Sequence, residues 1–215
     1  MRQNGRANEA YVTSQTQTGT GNNDPANTAF IRQAGQGNYA LQSQSAGGYN
    51  SNHNTEARQN GRSNDSYQYT EGGYNIDLLL NQNGRSNYNY QTADGAYLTG
   101  DVRQTGRQND SYQYLSGTKH DVEVRQNGRS NYSYQDVGGG GLGMPTGEAV
   151  VHQEGRSNEA FQHITGAGYS ADIRQSGRSN FAEININGTH MADITQNGVN
   201  NNATVTQSGS VTQPE

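Results

Sequence analysis

Gln126-Asn127-Gly128-Arg129-Ser130-Asn131-Tyr132-Ser133-Tyr134-Gln135 carries the pattern from which the architecture follows. Its frame, Gln-x-Gly-x-x-Asn, occurs nine times, opening at Gln3, Gln33, Gln59, Gln82, Gln104, Gln126, Gln153, Gln175 and Gln196. The matching glycines are Gly5, Gly35, Gly61, Gly84, Gly106, Gly128, Gly155, Gly177 and Gly198. The matching asparagines are Asn8, Asn38, Asn64, Asn87, Asn109, Asn131, Asn158, Asn180 and Asn201. A partial copy follows at Gln207. Recurrence at a fixed frame signals a repeat architecture, in which one unit cannot bury its apolar face alone.

Period 2 holds on both sides of the frame. Two residues before Gln stand Ile31, Ala57, Leu80, Val102, Val124, Val151, Ile173 and Ile194. Two beyond Asn stand small residues such as Ala40, Ser66, Ser111 and Ala160. Four beyond Asn stand Gln42, Gln68, Gln91, Gln113, Gln135 and Gln162. Alternation around a glycine reads as strand–turn–strand, with Gly tolerating the positive φ of the reversal. Longer repeats carry their extra residues at the other end of the unit, as from Thr16 to Asn27, at Gly47-Gly48-Tyr49-Asn50 and from Gly138 to Gly147.

The expected fold is all-β: a β-solenoid of about nine to ten coils with cross-β, amyloid-type architecture, formed by residues 1–215 as a single domain. Rungs stack about 4.8 Å apart. Identical amides then form ladders, each donating to one neighbour and accepting from the other. Ladders are needed because a conventional core is not on offer. Hydrophobic residues make up 28 %, and mean hydropathy is -1.08. The net charge of -5 argues against a generally basic nucleic-acid binder. Cysteine is absent, so there is no disulfide or thiolate chemistry. The longest aliphatic run is Leu78-Leu79-Leu80, far short of a membrane helix, so no membrane insertion is expected. The opening Met1-Arg2-Gln3 falls within a repeat and shows no signal-peptide pattern; it reads as a mature form whose export signal is missing, and neither end reads as a cap.

The outer positions keep the same frame. Arginine stands just before Gln at Arg2, Arg32, Arg58, Arg103, Arg125 and Arg174. It stands just after Gly at Arg6, Arg62, Arg85, Arg107, Arg129, Arg156 and Arg178. One beyond Asn, acid and aromatic alternate: Glu9, Tyr39, Asp65, Tyr88, Asp110, Tyr132, Glu159, Phe181. Three beyond Asn lies an outward aromatic column, Tyr11, Tyr67, Tyr90, Tyr112, Tyr134 and Phe161.

Gln33-Ala34-Gly35-Gln36-Gly37-Asn38-Tyr39-Ala40 with Gln44, and Gln196-Asn197-Gly198-Val199-Asn200-Asn201-Asn202-Ala203 with Gln207, resemble the curlin repeat of bacterial curli fibres. The resemblance implies a major-subunit-like chain of a secreted functional amyloid, exported unfolded and polymerised in the biofilm matrix outside the cell. It also implies identical subunits as partners, with an outer-membrane export pore, a chaperone and a nucleator. The second family Gln, six beyond Asn, is kept only at Gln44 and Gln207. A minor nucleator subunit and a soluble β-solenoid adhesin or binding module are the alternatives.

No catalytic constellation, cofactor loop or metal-ligand spacing is present in the sequence, so an enzyme is not expected and no cofactor is implied. His53, His120, His152, His163 and His190 are read as surface residues at different repeat positions. The arginine rows admit extracellular DNA or polysaccharide as a partner, against a plainer reading in which they balance the acids.

Overall fold

The computed structural model describes residues 1–17, 27–46, 52–140, 143 and 145–209. The loop expected at Gly47-Gly48-Tyr49-Asn50 lies outside them, as do residues 18–26 and residues 141, 142 and 144 of the other two loops.

The chain forms a parallel β-solenoid. Each rung has a first strand carrying the frame Gln, a corner, and a second strand beginning after the frame Asn. The first strands are β1 (Arg2–Arg6), β3 (Thr28–Gln36), β5 (His53–Arg62), β7 (Ile76–Arg85), β11 (Gly147–Arg156), β13 (Ser170–Arg178) and β15 (Met191–Val199). The second strands are β2 (Glu9–Gln17), β4 (Tyr39–Ala46), β6 (Asp65–Gly72), β10 (Tyr132–Gly138), β12 (Glu159–Thr165), β14 (Phe181–Asn187) and β16 (Asn202–Ser208). The long strands β8 (Tyr88–Arg107) and β9 (Asp110–Arg129) run through the far corner, so each supplies the second strand of one rung and the first of the next. Among the described residues all pairings are parallel, and each face has eight rung-to-rung pairings. The frame stays in register throughout: Gln82 lies against Gln104, Gln104 against Gln126, and Gly106 against Gly128. Gln207 lies opposite Ile186 in β16, six beyond Asn201, and so closes the ninth rung rather than opening a tenth.

The seam expected inside is inside. Ile31, Val102, Val124, Val151 and Ile173 are all fully buried, and Gln42, Gln68, Gln91, Gln113, Gln135 and Gln162 are buried beside them. The polar residues occupy about as much of this interior as the aliphatic ones, and the burial of the Gln and Asn columns rests on hydrogen bonds to their copies.

The corner differs in detail from the expectation. The frame glycine is the kinked end of a strand, and the chain turns two residues later. Gly106 has φ +116°, and a Cβ there would stand 1.9 Å from the Gly128 carbonyl oxygen. The residue in the compact left-handed region is the one before Asn, for example Ser63, Ser86, Gln108 and Ser130, with φ between 53 and 55°. The far corner repeats the device: Gly95 and Gly117 have positive φ, and Tyr97 and Lys119 two residues on have φ 58 and 61°.

Candidate functional site: amide ladders with open ends and an arginine edge

Two interior ladders run the length of the solenoid. In the first, each frame Gln donates from Nε2 to the Oε1 of the next rung, from Gln3 to Gln33 and onward to Gln196, at 2.8–3.0 Å. The same Nε2 also reaches backbone carbonyls; that of Gln104 bonds Tyr88 and Asn109. In the second, each frame Asn donates from Nδ2 to the Oδ1 of the rung before, from Asn38 to Asn8 and onward to Asn201 on Asn180, at 3.0–3.2 Å. The backbone N–H of each of these asparagines donates to that same Oδ1. The two ladders therefore have opposite polarity: glutamines donate toward the C-terminal rung and asparagines toward the N-terminal one.

A third ladder runs from Gln42 through Gln68, Gln91, Gln113 and Gln135 to Gln162, at 2.7–3.0 Å. It occupies only the middle six rungs. In this column Val12 stands in the first rung, and Ile184 and Val205 in the last two. Val12 has no amide, and Gln42 Oε1 is accordingly left without a donor.

The ladders are open at the first and ninth rungs of the described residues. Among the described residues no strand pairs the outer edges of β1, β2, β15 or β16, no donor reaches Gln3 Oε1 or Asn201 Oδ1, and Gln196 Nε2 bonds only the Phe181 carbonyl. Asn8 holds the Asn4 and Gly35 carbonyls but lacks the Oδ1 that every later frame Asn has. Val12 and Val199, at opposite ends, are exposed.

The aromatic positions form zigzags rather than straight columns. One runs Tyr11–Tyr39–Tyr67–Tyr88–Tyr112–Tyr132–Phe161–Phe181, with ring centroids 5.3–5.8 Å apart. Another runs Tyr69–Tyr90–Tyr114–Tyr134–His163 at 5.3–5.6 Å. Same-column neighbours are farther apart, with Tyr67 and Tyr90 at 6.4 Å. Diagonal neighbours on a sheet are within reach of rings, and the rung-to-rung alternation of acid and aromatic makes the diagonal the available partner. Burial pushes the Tyr88 hydroxyl up to about 12, with help from the neighbouring tyrosines. Burial also raises Asp65 and Asp110, the acids that alternate with those rings.

The two arginine sets have different surroundings. Arg58, Arg103, Arg125 and Arg174 pair with the acid two residues before each: Glu56, Asp101 at 2.7 Å, Glu123 and Asp172. Among the described residues no arginine of the corner set makes an ion pair or a side-chain hydrogen bond.

Two histidines correct the sequence reading. His53 and His120 are buried, at 0 % and 1 % exposure, and share one column with Ile76 and Leu98. His53 Nδ1 lies 2.9 Å from the Thr70 hydroxyl. His120 Nδ1 lies 3.0 Å from the Tyr169 hydroxyl, and its Nε2 contacts the Ser116 and Gly139 carbonyls. The Tyr169 ring passes over Gly147, where any Cβ would stand 2.1 Å from it. Burial lowers the pKa of both histidines and raises that of Tyr169. The signal was available: each histidine is six residues before its Gln, one more step of the same period 2. Among the described residues no cluster of His, Asp or Glu is arranged to hold a metal ion.

Fold and ladders together define a parallel β-solenoid with a polar, hydrogen-bonded interior. Residues 191–211 match the family described as the curlin associated repeat, which supports the curlin-repeat assignment read from the motif. Neither the curated proteins nor the solved structures gave a match. The repeat and the fold point to a structural protein rather than an enzyme.

Proposed function

We propose that this chain is the structural subunit of a curli-like extracellular amyloid fibre in a biofilm matrix, built by end-to-end stacking of identical solenoids. In this reading residues 1–215 act as one domain, and the frame Gln, Asn and Gly columns are its assembly machinery. Export through an outer-membrane pore, a chaperone and a nucleator belong to the same reading.

The observation that carries it is the complementarity of the two open ends. Gln196 Nε2 lacks a ladder acceptor, and Gln3 Oε1 of a second copy lacks a donor. Asn201 Oδ1 lacks a donor, and Asn8 lacks its inter-rung acceptor. Placing the first rung of one copy on the ninth of another continues both ladders. It also puts Val12 against Val205, in the column where Gln is missing at both ends. Unpaired strand edges favour the same addition.

The test is assembly of the purified chain followed by thioflavin fluorescence and electron microscopy. The expected result is a concentration-dependent signal with fibres of parallel cross-β order. A chain that stays monomeric at every concentration removes the proposal and leaves a soluble binding module.

A further inference from the structure

We propose that the corner edge of the solenoid is a binding track for single-stranded nucleic acid, with phosphates in an arginine-walled groove and bases against the adjoining tyrosines. The inference rests on a single chain and does not depend on polymerisation.

Arg62, Arg85, Arg107, Arg129, Arg156 and Arg178 occupy six successive rungs at one position and are aligned by strand pairing. At about 4.8 Å per rung the column is roughly 24 Å long. All six are exposed, and among the described residues none is neutralised by an ion pair, in contrast to Arg58, Arg103, Arg125 and Arg174. Like charges stacked on successive rungs repel one another, and a bound anion relieves that repulsion. Within the nine frames only Glu154 is acidic, and the nearest row of acids begins one residue beyond the frame Asn, in alternate rungs, so a chain of net charge -5 presents a basic column at its corner.

The edge is grooved as well as charged. Two shallow grooves of about 560 and 600 Å³ run along it. Their floors are the frame glycines and their walls these arginines. A side-chain-free floor lets a polymer backbone lie close to the protein backbone, and the guanidinium fork matches phosphate oxygens two at a time.

Geometry selects the polymer. Phosphates on one strand of a duplex rise about 3.4 Å each and wind away from any straight line. A single strand can be drawn out to one phosphate per rung and kept straight. Three residues beyond Arg85, Arg129 and Arg178 stand Tyr88, Tyr132 and Phe181, half-buried in the zigzag of rings, while Asp65, Asp110 and Glu159 stand beyond Arg62, Arg107 and Arg156 in the alternate rungs. A positive groove beside aromatic platforms is the arrangement that holds single strands without sequence preference. An acidic polysaccharide would use the arginines but has no bases for the rings.

The test is fluorescence anisotropy of a labelled 20-nucleotide oligo(dT) titrated with the full chain across a salt series. Six phosphate contacts give a slope of log K against log salt of about -4. Arg85→Ser/Arg107→Ser/Arg129→Ser is expected to halve it. The same charge removed from the paired set, by Arg103→Ser/Arg125→Ser/Arg174→Ser, is expected to leave it near -4. Arg85→Lys/Arg107→Lys/Arg129→Lys keeps the charge and is expected to hold the slope with weaker binding, which guards against misfolding of the serine variant. Tyr88→Ser/Tyr132→Ser is expected to weaken oligo(dT) on the order of tenfold or more at constant slope. Equal losses from both serine triples, loss of slope in the lysine triple, or no binding at low salt overturns the proposal. Preferential competition by alginate, or indifference to the tyrosine change, overturns it in favour of a polysaccharide.

Discussion

Gln104 has both of its polar atoms engaged: Oε1 accepts from Gln82, and Nε2 donates to Gln126 and to the Tyr88 and Asn109 carbonyls. It is also fully buried. Gln104→Leu keeps most of the volume but strands a donor on Gln82 and an acceptor on Gln126. Each orphaned buried group costs about 1–3 kcal/mol, so a loss of about 2–6 kcal/mol is expected in guanidinium unfolding. Asn127→Leu, one residue past the next ladder Gln and exposed, is expected to change stability by no more than about 0.5 kcal/mol. Equal effects at the two positions would contradict a ladder-held interior. At this scale the sequence was readable where a residue repeats with its column, because nine copies in one register fix the side-chain direction. It was not readable at Ser63, Ser86 and Ser130, which carry the left-handed corner. Serine has no marked preference for that region, so glycine drew the assignment.

At the scale of strands and corners, charge spacing and burial set the conditions of stability. Asp65 and Asp110 stand two rungs apart with Tyr88 between them. Tyr88→Asp places three carboxylates one rung apart, with repulsion of about 0.9 kcal/mol per neighbouring pair even in water. Assembly of this variant is expected to slow at low salt and to recover as salt screens the column. Lag times indifferent to salt would remove charge from the explanation of the alternation. The far corner adds a pH dependence. His53 and His120 are buried and their pKa values lie below the ordinary 6.5. The stability they contribute is fully present above about pH 6.5 and is lost as pH falls through their lowered folded values. Each contributes a slope of up to about 1.4 kcal/mol per pH unit in that window. Asp101, Asp110 and Asp121, raised by burial, act in the opposite sense: their ionisation penalty is relieved as pH falls through their raised values toward 3.8. Unfolding midpoints between pH 7.5 and 5 are therefore expected to fall in the native chain. They should flatten in His53→Gln/His120→Gln, leaving the contribution of His152, which burial also lowers. An unchanged slope in the double variant would place the titration elsewhere. These two histidines were not legible as interior residues because their column changes from rung to rung, His53, Ile76, Leu98 and His120, and because histidine is only intermediate in its tendency to be buried.

Over the whole molecule, the opposed polarity of the two ladders makes the ends unlike. The N-terminal rung presents a Gln acceptor and an Asn donor, and the C-terminal rung presents the reverse. Two like ends would face acceptor to acceptor at glutamine and donor to donor at asparagine, or the converse, so only head-to-tail stacking continues both ladders. This separates polar from non-polar growth with two variants. Gln3→Leu/Asn8→Leu spoils the first rung alone, and Gln196→Leu/Asn201→Leu spoils the ninth alone. With two orphaned groups at about 1–3 kcal/mol each, a spoiled junction is weaker by roughly 30-fold to more than 10,000-fold. Each variant by itself is then expected to stay monomeric in sedimentation velocity, because every junction would use its spoiled end. Mixed in equal amounts, the two have one sound junction available, the ninth rung of the first variant on the first rung of the second, and are expected to form dimers and stop. A non-polar fibre predicts the opposite pattern: each variant would dimerise alone through its two sound like ends, and mixing would add nothing. Dimers in the unmixed samples would therefore reject head-to-tail growth while leaving polymerisation itself intact.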